Sequence, residues 1–180
     1  MIGIPVGLVT ANAVEWCMHK YVLHERGRDK DSFWAFHFHE HHLLVRKNDY
    51  RDPNYARFPR GPHAQGMEAW SLIGGALVVA PLFPVAPFFV GTLWYSAANY
   101  YYLHKKSHQD PAWAQKYLPW HYDHHMGRNP HANWCVTKPW FDYVMGTREF
   151  TQGAPRESNV LGVPGLPEWI AKRLPKPASR

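Results

Sequence analysis

The stretch that decides the fold is AWSLIGGALVVA (Ala69–Ala80), PLFPVAP (Pro81–Pro87) and FFVGTLWYSAANYYYL (Phe88–Leu103), followed at once by His104. Two apolar runs flank a turn that holds prolines 81, 84 and 87 and no charge. Proline ends one helix and starts the next, so the pattern predicts a helical hairpin. If the second arm begins near Val85, about 19 residues precede His104, roughly 28 Å at the helical rise. A turn so poor in polar groups is bad chemistry for a loop in water and suits the interior or far side of a bilayer. The first arm is short for a span, and the mean hydropathy of -0.45 favours buried helices of a soluble protein. Shallow insertion into one leaflet stays open beside full crossing.

Working outward, residues 1–19 and 61–104 contain no Lys or Arg, and all 20 basic residues fall in 20–60 and 105–180. The first cation-free run, Met1 to Met18, carries Glu15 as its only charged side chain. If helix one enters the cytoplasm near His19, the basic loop 25–66 is cytoplasmic. The hairpin then leaves and returns, and everything after Lys105 is cytoplasmic. This topology obeys the positive-inside rule and brings every histidine cluster to one side. The expectation is an all-α, integral membrane helical bundle with a histidine-rich cap on the cytoplasmic face. The N-terminus lacks a basic n-region and does not read as a cleavable signal.

At 180 residues the chain is long enough for one domain, read as 1–150 with a C-terminal tail at 151–180. The tail is rich in Pro, Gly and basic residues and is expected to pack loosely. A net charge of +6 suits nucleic acid, anionic lipid or mere solubility. No nucleic-acid-binding motif accompanies it, so no nucleic-acid partner is expected. Cys17 and Cys135 form no CxxC pair, which argues against a thiolate zinc site. Two free thiols is the simpler reading, with one disulfide still open.

Most of the 13 histidines fall into four clusters: His19/His24, His37/His39/His41/His42, His104/His108 and His121/His124/His125. Neutral imidazole is the commonest protein metal ligand. His121, His124 and His125, at i, i+3 and i+4, lie within about 100° of arc on a helix. His19 and His24, five apart, would sit about 140° apart on an α-helix. Either pair alone is more often a surface feature. Together the clusters supply about ten imidazoles, too many for one ion, and so two ions of an imidazole-suited metal, iron or zinc. HExxH is absent, because Leu43 stands three residues after Glu40, which disfavours a zinc hydrolase.

The ordered set HxxxxH, an HH-bearing cluster, HxxxH and HxxHH resembles the fatty acid hydroxylase and sterol desaturase superfamily. The resemblance covers about residues 12–148. It extends through HYDHHMGRNPHANWCVTKPWFDYVMGT, His121–Thr147, whose D-x-x-x-G-T ending is similar to that of the lipid hydroxylase branch. One motif departs from the family pattern: the second cluster should read HxxHH, but Phe38 stands where its first histidine belongs. Either His37, His41 and His42 serve, or His39 and His42 do, with His41 behind them. The first choice is preferred because it yields the ten ligands the family implies. His39 is then spare, with Glu40 an acceptor orienting an imidazole and Asp123 a further acceptor.

The resemblance implies a non-haem di-iron centre, with zinc able to replace iron in recombinant material. It implies O₂ as co-substrate and hydroxylation of a C–H bond in a long-chain lipid, fatty acyl or sterol-like. Desaturation is the main alternative, and a noncatalytic metal-binding membrane protein a second. No flavin or haem motif is present, so a separate electron donor is implied: a cytochrome, ferredoxin or reductase. The metal ligands apart, no catalytic residue is singled out. The aromatics Trp94 to Tyr102 are read as an interfacial belt or the lining of a lipid channel.

Overall fold

A computed structural model describes residues 1–154 and 156–175, so Pro155 and the last five residues of the expected tail lie outside the described part. Among the described residues there are helices and no strands. Helix α1 (Gly3–Cys17) passes without a break into a π-helical segment, Met18–Arg26. A second π-helical segment, Phe36–His41, leads into α2 (His42–Lys47). The hairpin follows as α3 (Ala64–Val79) and α4 (Pro87–Gln109), joined across the prolines. Three short helices complete the body: α5 (Pro111–Tyr117), α6 (Pro119–Met126) and α7 (Trp140–Val144). Prolines 87, 111 and 119 each stand in the first turn of a helix, where a missing N–H costs nothing.

α1 and α4 run parallel and in close register. A Cβ on Gly3 would come 2.8 Å from Phe89 N, and one on Gly7 2.8 Å from Thr92 Cβ. Only glycine permits that approach, as in small-residue helix seams. The same register carries on to the far ends, where α1 delivers His19 and α4 delivers His104. α3 returns antiparallel to α4, so three helices surround one interior and end at one histidine-rich pole.

No helix among the described residues is long and apolar enough to cross a membrane. The expectation of a spanning helix is therefore not met. α1 and α3 have 15 and 16 residues, roughly 22–24 Å against a hydrocarbon core of about 30 Å. α4 has 23, but its last turns carry His104, Lys105, Lys106 and His108. Large apolar side chains nevertheless face outward along these helices. Leu77 is 67% exposed, Val78 79%, Val85 82% and Ile4 42%.

The interior of the pole is built from imidazole rather than aliphatic side chains. His19, His24, His41, His104, His108, His121, His124 and His125 are all under 2% exposed. Small apolar clusters flank them: Trp16, Trp134 and Cys135 on one side, Val45, Tyr50 and Ala114 on the other. Cys17 is exposed and both cysteines are free. The tail packs more firmly than expected at its start. Arg148 forms buried ion pairs with Asp123 at 2.8 Å and Glu157 at 2.7 Å, and a Cβ on Gly162 would meet Trp120 at 2.7 Å.

Candidate metal centre

The π-helical segments explain the pairs five apart. A π turn bonds i to i+5, as Gly27 N does to Val22 O at 3.1 Å, so residues five apart stack on one face. On an α-helix the same spacing would splay them. His19 and His24 thereby fall on a common side, with ring centroids 5.1 Å apart. His37 and His42, also five apart, span the second segment with Nε2 atoms 3.3 Å apart. In the ordinary α-helices the spacing is four: His104 and His108 lie 4.8 Å apart by ring centroid, His121 and His125 4.7 Å.

Two groups result, each with potential ligand atoms within 4.8 Å of one another: His19, His24, His37, His42 and His124; and His41, His104, His108 and His125. They abut, since the rings of His42 and His125 are 4.4 Å apart. Consecutive residues on a helix diverge by about 100°, so His41/His42 and His124/His125 each send one ring to either group. His121 belongs to neither group by this distance, but its Nε2 lies 3.2 Å from His108 Nε2.

Ring orientation is fixed from behind. His19 Nδ1 donates to Trp134 O, His124 Nδ1 to Ala132 O at 2.7 Å and His108 Nδ1 to Tyr50 O at 2.9 Å. A carbonyl only accepts, so each Nδ1 carries the proton and each Nε2 presents a lone pair. Those lone pairs point at other imidazole nitrogens: His19 to His37 at 3.0 Å, His124 to His42 at 3.2 Å. His42 Nε2 faces the Nε2 atoms of His24, His37 and His124 at 3.0, 3.3 and 3.2 Å, and one ring N–H can satisfy only one of the three, so lone pairs are left facing one another; a cation among them removes the conflict. Ligands about 2.0–2.1 Å from one ion sit roughly 3.0–3.4 Å from each other, which is the spacing found. The buried Nε2 atoms of His41, His104 and His125 have no partner among the described residues. The donor set therefore fits imidazole-bound metal ions.

Two carboxylates stand behind the second group. His41 Nδ1 donates to Asp52 Oδ2 at 2.7 Å, and His104 Nδ1 contacts both Glu68 oxygens at 2.9 Å. Tyr55 OH also donates to Glu68. Burial pushes Asp52 up to about 6, so at neutral pH it still carries the charge that holds the imidazole. Burial and neighbouring imidazoles push His19, His37, His41, His42, His108, His121 and His125 well below the ordinary value, and His124 down to about 4. All are neutral at pH 7, the form that binds metal.

Two sequence expectations, for Glu40 and Asp123, are corrected here, while His39 stands where the preferred register left it. Glu40 orients no imidazole; it accepts from Asn54 Nδ2 at 2.7 Å and from the α3 backbone at Ala64 N. Asp123 is bound to Arg148 rather than to a ring. His39 stands apart from both groups, its Nε2 2.8 Å from Arg28 O. The acceptors that do reach the rings, Asp52 and Glu68, were missed. Glu68 had a signal: it is the only charged residue in the run 61–104. His63 caps α3 from its loop, accepting from Gly66 N, and Asp142 ties the turn to Thr147 and also holds the Trp134 and Cys135 N–H groups.

A cavity of about 680 Å³ opens onto the histidine pole between α1, α3 and α4, within the usual range for ligand pockets. His19, His37, His41 and His104 form its floor; Leu8, Leu72, Ala76, Val79, Phe89 and Leu93 line its upper part. Members of both histidine groups thus face one apolar chamber.

Residues 4–147 match the model of the family described as Fatty acid hydroxylase. No curated protein and no solved structure matches the chain significantly.

Proposed function

The chain belongs to the fatty acid hydroxylase family, and from that membership we propose that it is an O₂-dependent, non-haem di-iron hydroxylase of a long-chain lipid. The observation that carries this reading is the convergence of nine histidines into two abutting groups on the floor of an apolar cavity. His19, His24, His37, His42 and His124 would hold one ion. His41, His104, His108 and His125 would hold the other, with His121 as tenth ligand. When bound, two iron ions supply the redox chemistry by which O₂ oxidises an unactivated C–H bond.

The residues of the chain do the rest. Trp134 O, Ala132 O, Tyr50 O, Asp52 and Glu68 fix the tautomers, so that Nε2 is the free donor. The cavity walls hold one methylene over the floor and keep bulk water out. Conversion of C–H to C–OH with O₂ also consumes two electrons and two protons and releases water. A separate one-electron donor, a cytochrome, ferredoxin or reductase, is therefore part of the proposal. The outward apolar side chains of α1, α3 and α4 favour embedding of the hairpin in a membrane, with the histidine pole at the cytoplasmic face.

The test is incubation of iron-loaded protein with ¹⁸O₂, a reductant system and candidate lipids, followed by mass spectrometry. A product bearing labelled hydroxyl is expected. An unlabelled product two hydrogens lighter would move the reaction to desaturation. No O₂-dependent change in any lipid, from protein holding two reducible irons, would overturn the enzymatic reading.

A further inference from the structure

The outward apolar faces of α3 and α4 end in a belt of cations. Exposed apolar side chains run along α3 from Val78 to Trp70 and along α4 from Phe88 to Tyr102, from the proline turn toward the histidine pole. Past Trp70 and Tyr102 the surface turns basic. Arg57 and Arg60 are exposed in the loop before α3, on either side of the exposed Phe58, and half-buried Lys105 and Lys106 follow Tyr102 on α4. Gln65, buried at the start of α3, joins the two parts. In the amide orientation that satisfies both its ends, its nitrogen donates to Arg57 O at 3.1 Å and its oxygen accepts from Lys105 Nζ at 3.3 Å.

The cations lean on aromatic rings. The Arg60 guanidinium lies 4.9 Å from the Phe58 ring centroid, and Lys106 Nζ lies 4.5 Å from that of Trp113 and 5.9 Å from that of Tyr102. Where α1 passes into its π-helical segment, Lys20 repeats the arrangement over Tyr21 at 4.9 Å. Among the described residues, Arg57, Arg60, Lys105 and Lys106 form no ion pair. Asp52 and Glu68 are turned inward to His41 and His104. Asp110, which shares a shallow cleft with Tyr102, Lys105, Lys106 and Gln109, caps α5 through Trp113 N at 3.1 Å. Four cations against that one carboxylate leave an excess of three positive charges.

Resting on the membrane placement proposed above, we infer that the belt Arg57–Arg60–Lys105–Lys106 binds anionic phospholipid headgroups and seats the histidine pole against an anionic leaflet. The order along the surface, apolar then aromatic then cationic, is that of hydrocarbon, interface and headgroup. Lys and Arg can lay their stems on the rings while the charge reaches outward to phosphate. A zwitterionic headgroup layer does not neutralise the excess charge, and an anionic one does. An acidic protein would also meet the charge, but it would leave Trp70, Tyr102 and the apolar run above them uncovered.

The test reads lipid binding and needs neither metal nor turnover. The full chain in neutral detergent micelles is mixed with dioleoylphosphatidylglycerol or dioleoylphosphatidylcholine at a series of mole fractions, and native mass spectrometry counts the lipid retained per chain. Phosphatidylglycerol should bind at about tenfold lower mole fraction than phosphatidylcholine. A cation near an anionic membrane surface contributes about fivefold to binding, so Arg60→Gln with Lys106→Gln should cut the preference to threefold or less. Lys30→Gln with Arg128→Gln removes the same charge from exposed positions outside the belt and should leave the preference within twofold of the parent's. If the first double variant loses helicity, Lys106→Gln alone should still halve the preference. Equal binding of the two lipids, or equal loss in both double variants, would overturn the inference. Retention of polyglutamate without preference for phosphatidylglycerol would give the face to an acidic protein and overturn it too. A cysteine at Val85 shielded from aqueous label alongside such a result would leave membrane embedding standing and this inference refuted.

Discussion

Asp52 Oδ2 lies 2.7 Å from His41 Nδ1, and both side chains are buried. The carboxylate fixes which ring nitrogen keeps the proton and makes the other a stronger donor. Glu68 does the same for His104. The first histidine group has backbone carbonyls at the equivalent places, so the two groups differ in the charge that backs them.

Asp52→Asn and Glu68→Gln should therefore weaken one ion selectively. Loss of such a partner typically costs about 10- to 100-fold in metal affinity. Elemental analysis after a chelator challenge should give two ions per chain in the parent and close to one in either variant. Zinc should load as iron does, since both accept imidazole. A parent chain that never holds more than one ion would contradict the two-group assignment.

Within FHFHEHH the imidazoles should not be equivalent. His37→Ala removes a ring whose Nε2 is 3.0 Å from His19 Nε2, and metal content and turnover should both collapse. His39→Ala removes only the contact to Arg28 O, and His63→Ala only a helix cap; each should retain near-parental metal content. His121→Ala, His124→Ala and His125→Ala should behave like His37→Ala. The reverse ranking of His37 and His39 would show the other register.

The metal-free protein should be acid-labile. Nine imidazoles titrate below their ordinary value near 6.5 in the folded state. The unfolded chain then binds more protons than the folded one below that pH. Stability is fully present above about pH 6.5 and falls as pH drops, by up to roughly 1.4 kcal/mol per imidazole per pH unit. Contributions from His124 should stop accruing near pH 4, its folded value. Urea melts of chelator-treated protein at pH 7.5, 6.5 and 5.5 should show little change over the first step and a steep loss over the second. Equal stability at all three would contradict neutral burial.

Membrane embedding has a labelling signature. In a background lacking Cys17 and Cys135, a cysteine at Val85, 82% exposed at the proline turn, should be shielded from aqueous maleimide in vesicles until detergent is added. A cysteine at Asn48 should react from the cytoplasmic side alone. Rapid labelling at Val85 from the cytoplasmic side would contradict the proposed placement.

The hairpin, its proline turn and the four histidine clusters were legible because each rests on local pattern. Helix boundaries were less so: α4 starts at Pro87 rather than near Val85, since the ring of Pro87 suits a first turn. The partners of the rings were not legible. Asp52 reaches His41 through a fold-back of the 48–56 loop, and Glu68 reaches His104 only because α3 lies antiparallel to α4. Both are long-range contacts that no spacing rule encodes. Asp123 misled for the opposite reason: its place between His121 and His124 suggests a ring partner, while Arg148, 25 residues on, takes it.

The wide turn at Met18–Arg26 also bears on angular phase. His19 and His24 would share a face equally well four apart on an ordinary helix, as His104 and His108 do. The extra residue is taken up inside the wide turn, where more residues complete each circuit, so the helix on either side keeps its phase. Gly3, Gly7 and His19 all precede the insertion and keep their mutual angle whatever its length. The spare residue is thus absorbed locally and leaves the close-approach glycines and the ligands in step along a single continuous helix.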